Sequence, residues 1–134
     1  HRESFINLVE DYVDILFANE DEITSLYKTS NLNLAIEQLK KKCDLAAITL
    51  GKNGSILISN GKEVAIDPFI LGKAIDTTGA GDLYAGGFLK GLSGGLDPVI
   101  SAKIGSICAG QIVTQLGSRS NTDLLNLINS HLKI

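Results

Sequence analysis

Hydrophobic positions in this chain recur at two periods, and the switches between them mark out its elements. Phe5, Leu8, Val9 and Tyr12 share one helical face, and the largely apolar run Val13-Asp14-Ile15-Leu16-Phe17-Ala18 after them reads as a strand. Asn33 is placed to cap a helix carrying Leu34, Ala35, Ile36, Leu39 and Cys43, after which Leu45 to Leu50 reads as a buried strand. Ser55 to Ile58 and Glu63 to Ile66 flank Asn60-Gly61, a dipeptide suited to a tight hairpin. Asp67-Pro68 breaks that hairpin, and the chain then crosses through Gly72 to a short strand at Lys73-Ala74-Ile75.

The second half is mostly helical in period. Leu83, Tyr84, Gly87, Phe88 and Gly91 fall on one side of a helix, and Ser93-Gly94-Gly95 forms a loop after it. Asp97 as N-cap and Pro98 at the first helical position start another helix that runs to about Leu116, with Gly117 as its C-cap. Its inner face carries Ala102, Gly105, Ala109, Ile112, Val113 and Leu116. Residues this small imply a close neighbour, for which the sheet is the simplest candidate. Asn121 or Thr122 starts a final covering helix with Leu124, Leu125, Leu127, Ile128 and Leu132, on which His131 is expected to be exposed and uninvolved. Helices alternating with strands in the first half predict α/β layering.

Composition narrows the class. The chain has 134 residues, 44% of them hydrophobic, enough for one modest core. Its net charge of −3 argues against a nucleic-acid surface. The one basic run, Lys40-Lys41-Lys42, sits where a helix ends, and cations suit that end of the dipole. No apolar run is long enough to span a bilayer and no leader pattern opens the chain, so a cytoplasmic protein without membrane partners is expected. Cys43 and Cys108 lie in no metal or redox spacing and read as reduced packing residues. A chain that begins at His1 and contains no methionine is expected to be a piece of a longer protein.

Candidate chemistry concentrates in Asp76-Thr77-Thr78-Gly79-Ala80-Gly81-Asp82. Gly79-Ala80-Gly81 falls between the predicted strand and helix, where small residues let an anion approach peptide N–H groups that lack helical partners. Asp82 puts a carboxylate beside that anion hole. A carboxylate repels phosphate unless it has a proton to collect or a cation to share, so an acid–base role fits; favourable placement in a first helical turn is the structural alternative. The dinucleotide fingerprint fails because Tyr84 stands where its third glycine belongs, and a Walker A loop fails because Gly91 is followed by Leu92.

Two further motifs precede this one. Asn19 and Glu22 have the spacing of a capping box, Asn bonding forward and Glu bonding back. Thr49-x-Gly51-x-x-Gly54 could merely reverse the chain into the next strand.

The string from Asp76 to Asp82, followed after three residues by Gly86-Gly87-Phe88-Leu89, closely resembles the C-terminal signature of the ribokinase-like, phosphofructokinase B type family of carbohydrate and nucleoside kinases. Its continuation Leu83-Tyr84-Ala85-Gly86-Gly87-Phe88 is most similar to the bacterial adenosine-kinase-like branch. Asn19-x-x-Glu22 resembles the family motif that organises magnesium and the nucleotide phosphates. Thr49, Gly51 and Gly54 resemble its nucleotide-binding turn, so the resemblance spans nearly the whole chain in the family's order.

What the resemblance implies is specific. The fold would be a three-layer ribokinase-like α/β fold with a mainly parallel sheet, and residues 1–134 its C-terminal, nucleotide-binding and catalytic portion. ATP and Mg2+ would be the cofactors. Asp82 would take the proton of an acceptor hydroxyl on a nucleoside or sugar, with the N–H groups of Gly79, Ala80 and Gly81 holding the transferring oxygens. Asn19 and Glu22 would organise the metal, and Asn19, Thr49, Gly51, Gly54, Gly81 and Ser106 would serve the nucleotide. Asp76 and Thr78 resemble positions that bind a K+-like ion in cation-activated members, or they simply fix the turn. Gly117 matches a position bordering the adenine and that cation. The missing N-terminal part would carry the lid and most acceptor-recognition residues, and the sheet edge left without it makes that part or a second copy the expected protein partner. A ribose or fructose kinase and a non-catalytic nucleotide-binding module stay open as alternatives.

Overall fold

The computed structural model describes residues 2–4, 14–69, 79–113 and 124–132. The predicted helix face at Phe5, Leu8, Val9 and Tyr12, the strand at residues 73–75 and the cap Gly117 lie outside them. The chain divides into two compact units, residues 1–51 with 55–65, and residues 52–54 with 66–134.

The first unit is a sheet covered by two helices. Strands β1 (Leu16–Asn19), β2 (Leu45–Thr49), β3 (Ser55–Ser59) and β4 (Lys62–Ile66) lie side by side in chain order. β1 and β2 run parallel, with Leu16 opposite Ala46 and Asn19 opposite Thr49. β2 and β3 are antiparallel, with Ala47 opposite Leu57, so the described sheet is mixed. The crossover from β1 to β2 contains helices α1 (Glu20–Leu26) and α2 (Leu32–Lys40). Their apolar stripes, Ile23 and Leu26 on one and Ala35, Ile36 and Leu39 on the other, pack with Ala46, Ile48 and Ile58 as one buried core. Ala47 and Leu57 face the other way and are also fully buried. A strand apolar on both faces, such as β2, belongs inside a layered α/β fold.

Two boundaries differ from the sequence expectation. The first strand starts at Leu16, where pairing with Ala46 begins, while Asp14 and Ile15 form a bend. α2 is capped by Asn31, whose Oδ1 accepts from Leu34 N at 3.3 Å, and Asn33 lies inside the helix. The start moves two residues back because Leu32 packs on the core, and Thr29 Oγ1 fixes the approach by accepting from Asn31 N. The Asn60-Gly61 hairpin is as expected, with left-handed φ of 50° and 79° at its two residues. At the end of α2, Lys40 Nζ bridges Glu37 and Glu63 at 3.0 Å each, tying the helix to β4. Cys43 is free and buried, and its Sγ lies 3.2 Å from the Leu45 carbonyl.

The second unit contains α3 (Ala80–Ser93), α4 (Pro98–Val113) and α5 (Leu124–Leu132). Asp97 caps α4 as expected, its Oδ1 accepting from Ile100 N at 2.9 Å. The small residues of α4, however, meet a helix and a loop. A Cβ on Gly105 would stand 2.8 Å from the Tyr84 carbonyl, and one on Gly110 would overlap the Phe69 backbone. α3 answers in kind, with Gly87 facing Gly105 and Cys108, and Gly91 facing Ser101. Tyr84 and Phe88 stack at 6.4 Å within this pair, and Ala102, Ile104 and Ile107 are buried along it. His131 is exposed as expected but not uninvolved, since its ring meets Phe69 edge-on at 4.8 Å. Cys108 is free and buried. Burial pushes both thiols up from their ordinary value, which suits packing residues.

Candidate active site

In the second unit the site is the entrance to α3. Gly79 holds φ 80° and ψ 0°, a left-handed conformation in which a side chain would be strained. The Leu83 N–H closes the first turn on the Gly79 carbonyl at 3.0 Å. Gly79 supplies no capping side chain, and among the described residues no acceptor meets the first-turn amides of Ala80, Gly81 and Asp82. A Cβ on Gly81 would meet nothing within 4 Å, so packing among the described residues does not demand glycine there, whereas close approach by an anion would. Asp82 is exposed in that turn, and among the described residues its carboxylate has no hydrogen-bond or ion-pair partner. An unoccupied carboxylate beside uncapped amides is what proton collection next to a bound anion requires. Ser106 is buried on α4, and Asp76 and Thr78 fall outside the described residues.

In the first unit, Asn19 and Thr49 end the two parallel strands as direct register partners, which brings their motifs to the carboxyl edge of the sheet. Ligands of open α/β sheets gather at that edge. The capping box is complete: Glu22 N donates to Asn19 Oδ1 at 2.8 Å, and Asn19 N donates to Glu22 Oε2 at 2.8 Å. Both residues are exposed, and Glu22 lines a cleft of about 560 Å³ together with Arg2, Leu16, Phe17, Ala18 and Ile23. Thr49 Oγ1 reaches the Ala18 carbonyl only at 3.5 Å, so its hydroxyl is weakly held.

The glycines of the third motif separate. Gly51 has φ 59° with open space where a Cβ would go, leaving its backbone accessible. Gly54 has φ 88°, and a Cβ there would overlap the Ile66 carbonyl, so packing alone requires glycine at that position. Spacing could not distinguish them.

Among the described residues no three His, Cys, Asp or Glu side chains cluster as a metal cage. Magnesium does not need one, because it binds through one or two carboxylates, waters and substrate phosphates, and the exposed Glu22 carboxylate fits that pattern. Also among the described residues, no helix is long and apolar enough to cross a membrane.

The sequence pattern of the pfkB family carbohydrate kinases matches residues 2–124. The chain belongs to that family. A nucleoside kinase of Methanocaldococcus jannaschii is 32% identical over 121 residues, covering 90% of this chain and 39% of that protein. The crystal structure of a probable sugar kinase from Rhizobium etli superposes with a TM-score of 0.94 at 34% identity, over 99% of this chain and 41% of the other. An adenosine kinase from Sinorhizobium meliloti gives 0.92 at 37% identity, over 98% of this chain and 40% of the other. The ribokinase-like α/β fold expected from the signature is therefore the fold of this pfkB-family chain. It spans about 40% of the length of these relatives.

Proposed function

We propose that this pfkB-family chain is the C-terminal, nucleotide-binding and catalytic part of an ATP-dependent kinase that phosphorylates a hydroxyl of an adenosine-like nucleoside or a sugar. The observation that carries the reading is the α3 entrance, where a left-handed Gly79 without a capping side chain adjoins a carboxylate that has no partner among the described residues. Phosphoryl transfer asks little covalent work of a protein and depends on positioning and on donors where charge develops.

Asp82 takes the proton of the acceptor hydroxyl while the acceptor oxygen bonds to the γ-phosphorus in line and the bond to the ADP oxygen breaks. The Gly79, Ala80 and Gly81 amides hold the transferring oxygens, a preorganised stabilisation worth about 3–4 kcal/mol per donor in comparable holes. Magnesium, when bound, would supply charge neutralisation of the phosphates. Asn19 and Glu22 are the residues that would hold it. Thr49 and Gly51 offer a loosely held hydroxyl and an accessible backbone to the nucleotide, with Gly54 setting the turn and Ser106 serving the base side. Asp76 and Thr78 would hold a K+-like ion if the enzyme is cation-activated, and otherwise fix the turn. The remaining N-terminal part of the protein, or a second copy as a homodimer, is the proposed protein partner, and the cytoplasm the proposed setting.

Similarity to the Methanocaldococcus jannaschii nucleoside kinase and the Sinorhizobium meliloti adenosine kinase favours a nucleoside acceptor. Similarity to the probable sugar kinase of Rhizobium etli favours a sugar acceptor, such as ribose or fructose in the second reading, over a nucleoside. ADP release by the full-length protein with magnesium-ATP and a panel of adenosine, ribose, fructose and other sugars separates the two. Release with one acceptor class names the substrate, and ATP binding without release from any acceptor supports the non-catalytic module instead.

A further inference from the structure

We infer that Gly105, on α4, is a positioning residue for the Asp82 turn of α3, an inference that rests on the kinase reading above. Asp82 and the amides beside it stand on the first turn of α3, and Tyr84 is two residues further along the same helix. Tyr84 is 3% exposed and stacks on Phe88, so this turn is pinned by packing on its inner side. What Tyr84 packs against is the bare Cα of Gly105. A Cβ at Gly105 would stand 2.8 Å from the Tyr84 carbonyl oxygen, 3.2 Å from its Cγ and 3.3 Å from its Cδ1.

The nearest of these atoms is backbone, so no rotamer change relieves the clash. The α3 backbone at Tyr84, which directly follows the first turn, and α4 must move apart. Because a helix transmits such a displacement rigidly over a turn, Asp82 and the Ala80 and Gly81 amides move with it. Transfer geometry is sensitive on that scale, with misplacement of about 1 Å costing about a hundredfold in rate.

The same helix pair supplies its own controls. Gly91 receives an equivalent insult from α4, since its Cβ would lie 2.7 Å from Ser101 Oγ and 2.9 Å from Ser101 Cα. It lies nine residues beyond Asp82, about 13 Å along the helix axis. Gly87 lies between, and its insult is milder, with the Cys108 Sγ at 2.9 Å and backbone atoms at 3.1 Å. Stability and turnover should therefore follow different orders across the three positions. Gly105→Ala and Gly91→Ala should lose similar stability, with Gly87→Ala losing less. Loss of turnover should instead follow proximity to Asp82, with Gly105 first, Gly87 second and Gly91 last.

The test is steady-state kinetics and thermal unfolding of the three variants in the full-length protein. Gly105→Ala should lower kcat at least about tenfold with the ATP KM within about threefold, while Gly91→Ala stays within about twofold of the parent in kcat. If Gly105→Ala does not fold, Gly87→Ala must still lose more kcat than Gly91→Ala despite its smaller loss of stability. Parent-like kcat in Gly105→Ala, or equal kcat losses at Gly105 and Gly91, overturns the inference while leaving the kinase reading intact. No acceptor-dependent ADP release by the parent overturns the kinase reading and the inference with it.

Discussion

Gly54 is required by packing before any ligand is considered, and its replacement by alanine separates that role from nucleotide binding. Its φ of 88° lies in the left-handed region, which costs an L-residue about 1–2 kcal/mol. The new methyl group would overlap the Ile66 carbonyl and stand 2.9 Å from Pro68 N and 3.1 Å from the Asp67 carbonyl carbon, all of them backbone atoms. Overpacking against atoms that cannot rotate away belongs at the upper end of the usual range, about 2–3 kcal/mol. Together these give about 3–5 kcal/mol for Gly54→Ala. Gly51→Ala shares the left-handed cost, with φ 59°, but meets nothing within 4 Å, so about 1–2 kcal/mol is expected. Denaturant midpoints of both variants at unchanged m-value supply the comparison. Equal losses at the two positions, or a Gly54→Ala protein of parental stability with weakened ATP binding, would refute the packing argument and return Gly54 to the ligand.

The capping box makes a second pair of variants informative. Asn19→Ala should cost about 1 kcal/mol, and Asn19→Ser should recover most of it, because serine completes the same reciprocal box with Glu22; unfolding midpoints decide. Glu22→Gln keeps an oxygen that can accept from Asn19 N, so stability should hold while the magnesium concentration for half-maximal activity rises; an unchanged titration would confine Glu22 to its structural role. The Lys40 bridge predicts a pH effect of definite sign. Hydrogen bonds to Glu37 and then to Glu63 raise the Lys40 ammonium above its ordinary 10.5, so its contribution is complete below that value and is lost as pH rises through the higher folded value. Lys40→Met should flatten that alkaline fall, and an identical alkaline profile in the variant would show that the pair does nothing for stability.

Much of the first unit was legible because its signals are local. The capping box at Asn19 and Glu22, the Asn60-Gly61 hairpin and the buried strand before Thr49 each depend on a few adjacent residues, and each stands where the spacing puts it. Spacing points to Asn33 as the cap of α2 because Asn31 and Asn33 are equivalent by residue type, and only the packing of Leu32 against the core distinguishes them. Small residues on α4 announced a close neighbour without identifying it. That neighbour is α3, whose own glycines at 87 and 91 were the complementary signal, readable only by matching the two helices against each other. In the candidate site, sequence brought out Gly79 and Asp82 together, and the structure adds the reason in Gly79's left-handed φ and the uncapped turn. It could not separate Gly51 from Gly54, since the atom that excludes a side chain at Gly54 comes from β4, twelve residues along the chain.

Acceptor-dependent ADP release by the full-length protein carrying Asp82→Asn, measured with ATP binding on the same sample, tests the proposed chemistry most directly. Removal of the base should lower turnover by about a hundredfold or more while ATP affinity stays within a few-fold. Near-parental turnover in that variant would contradict the assignment of Asp82 as the base.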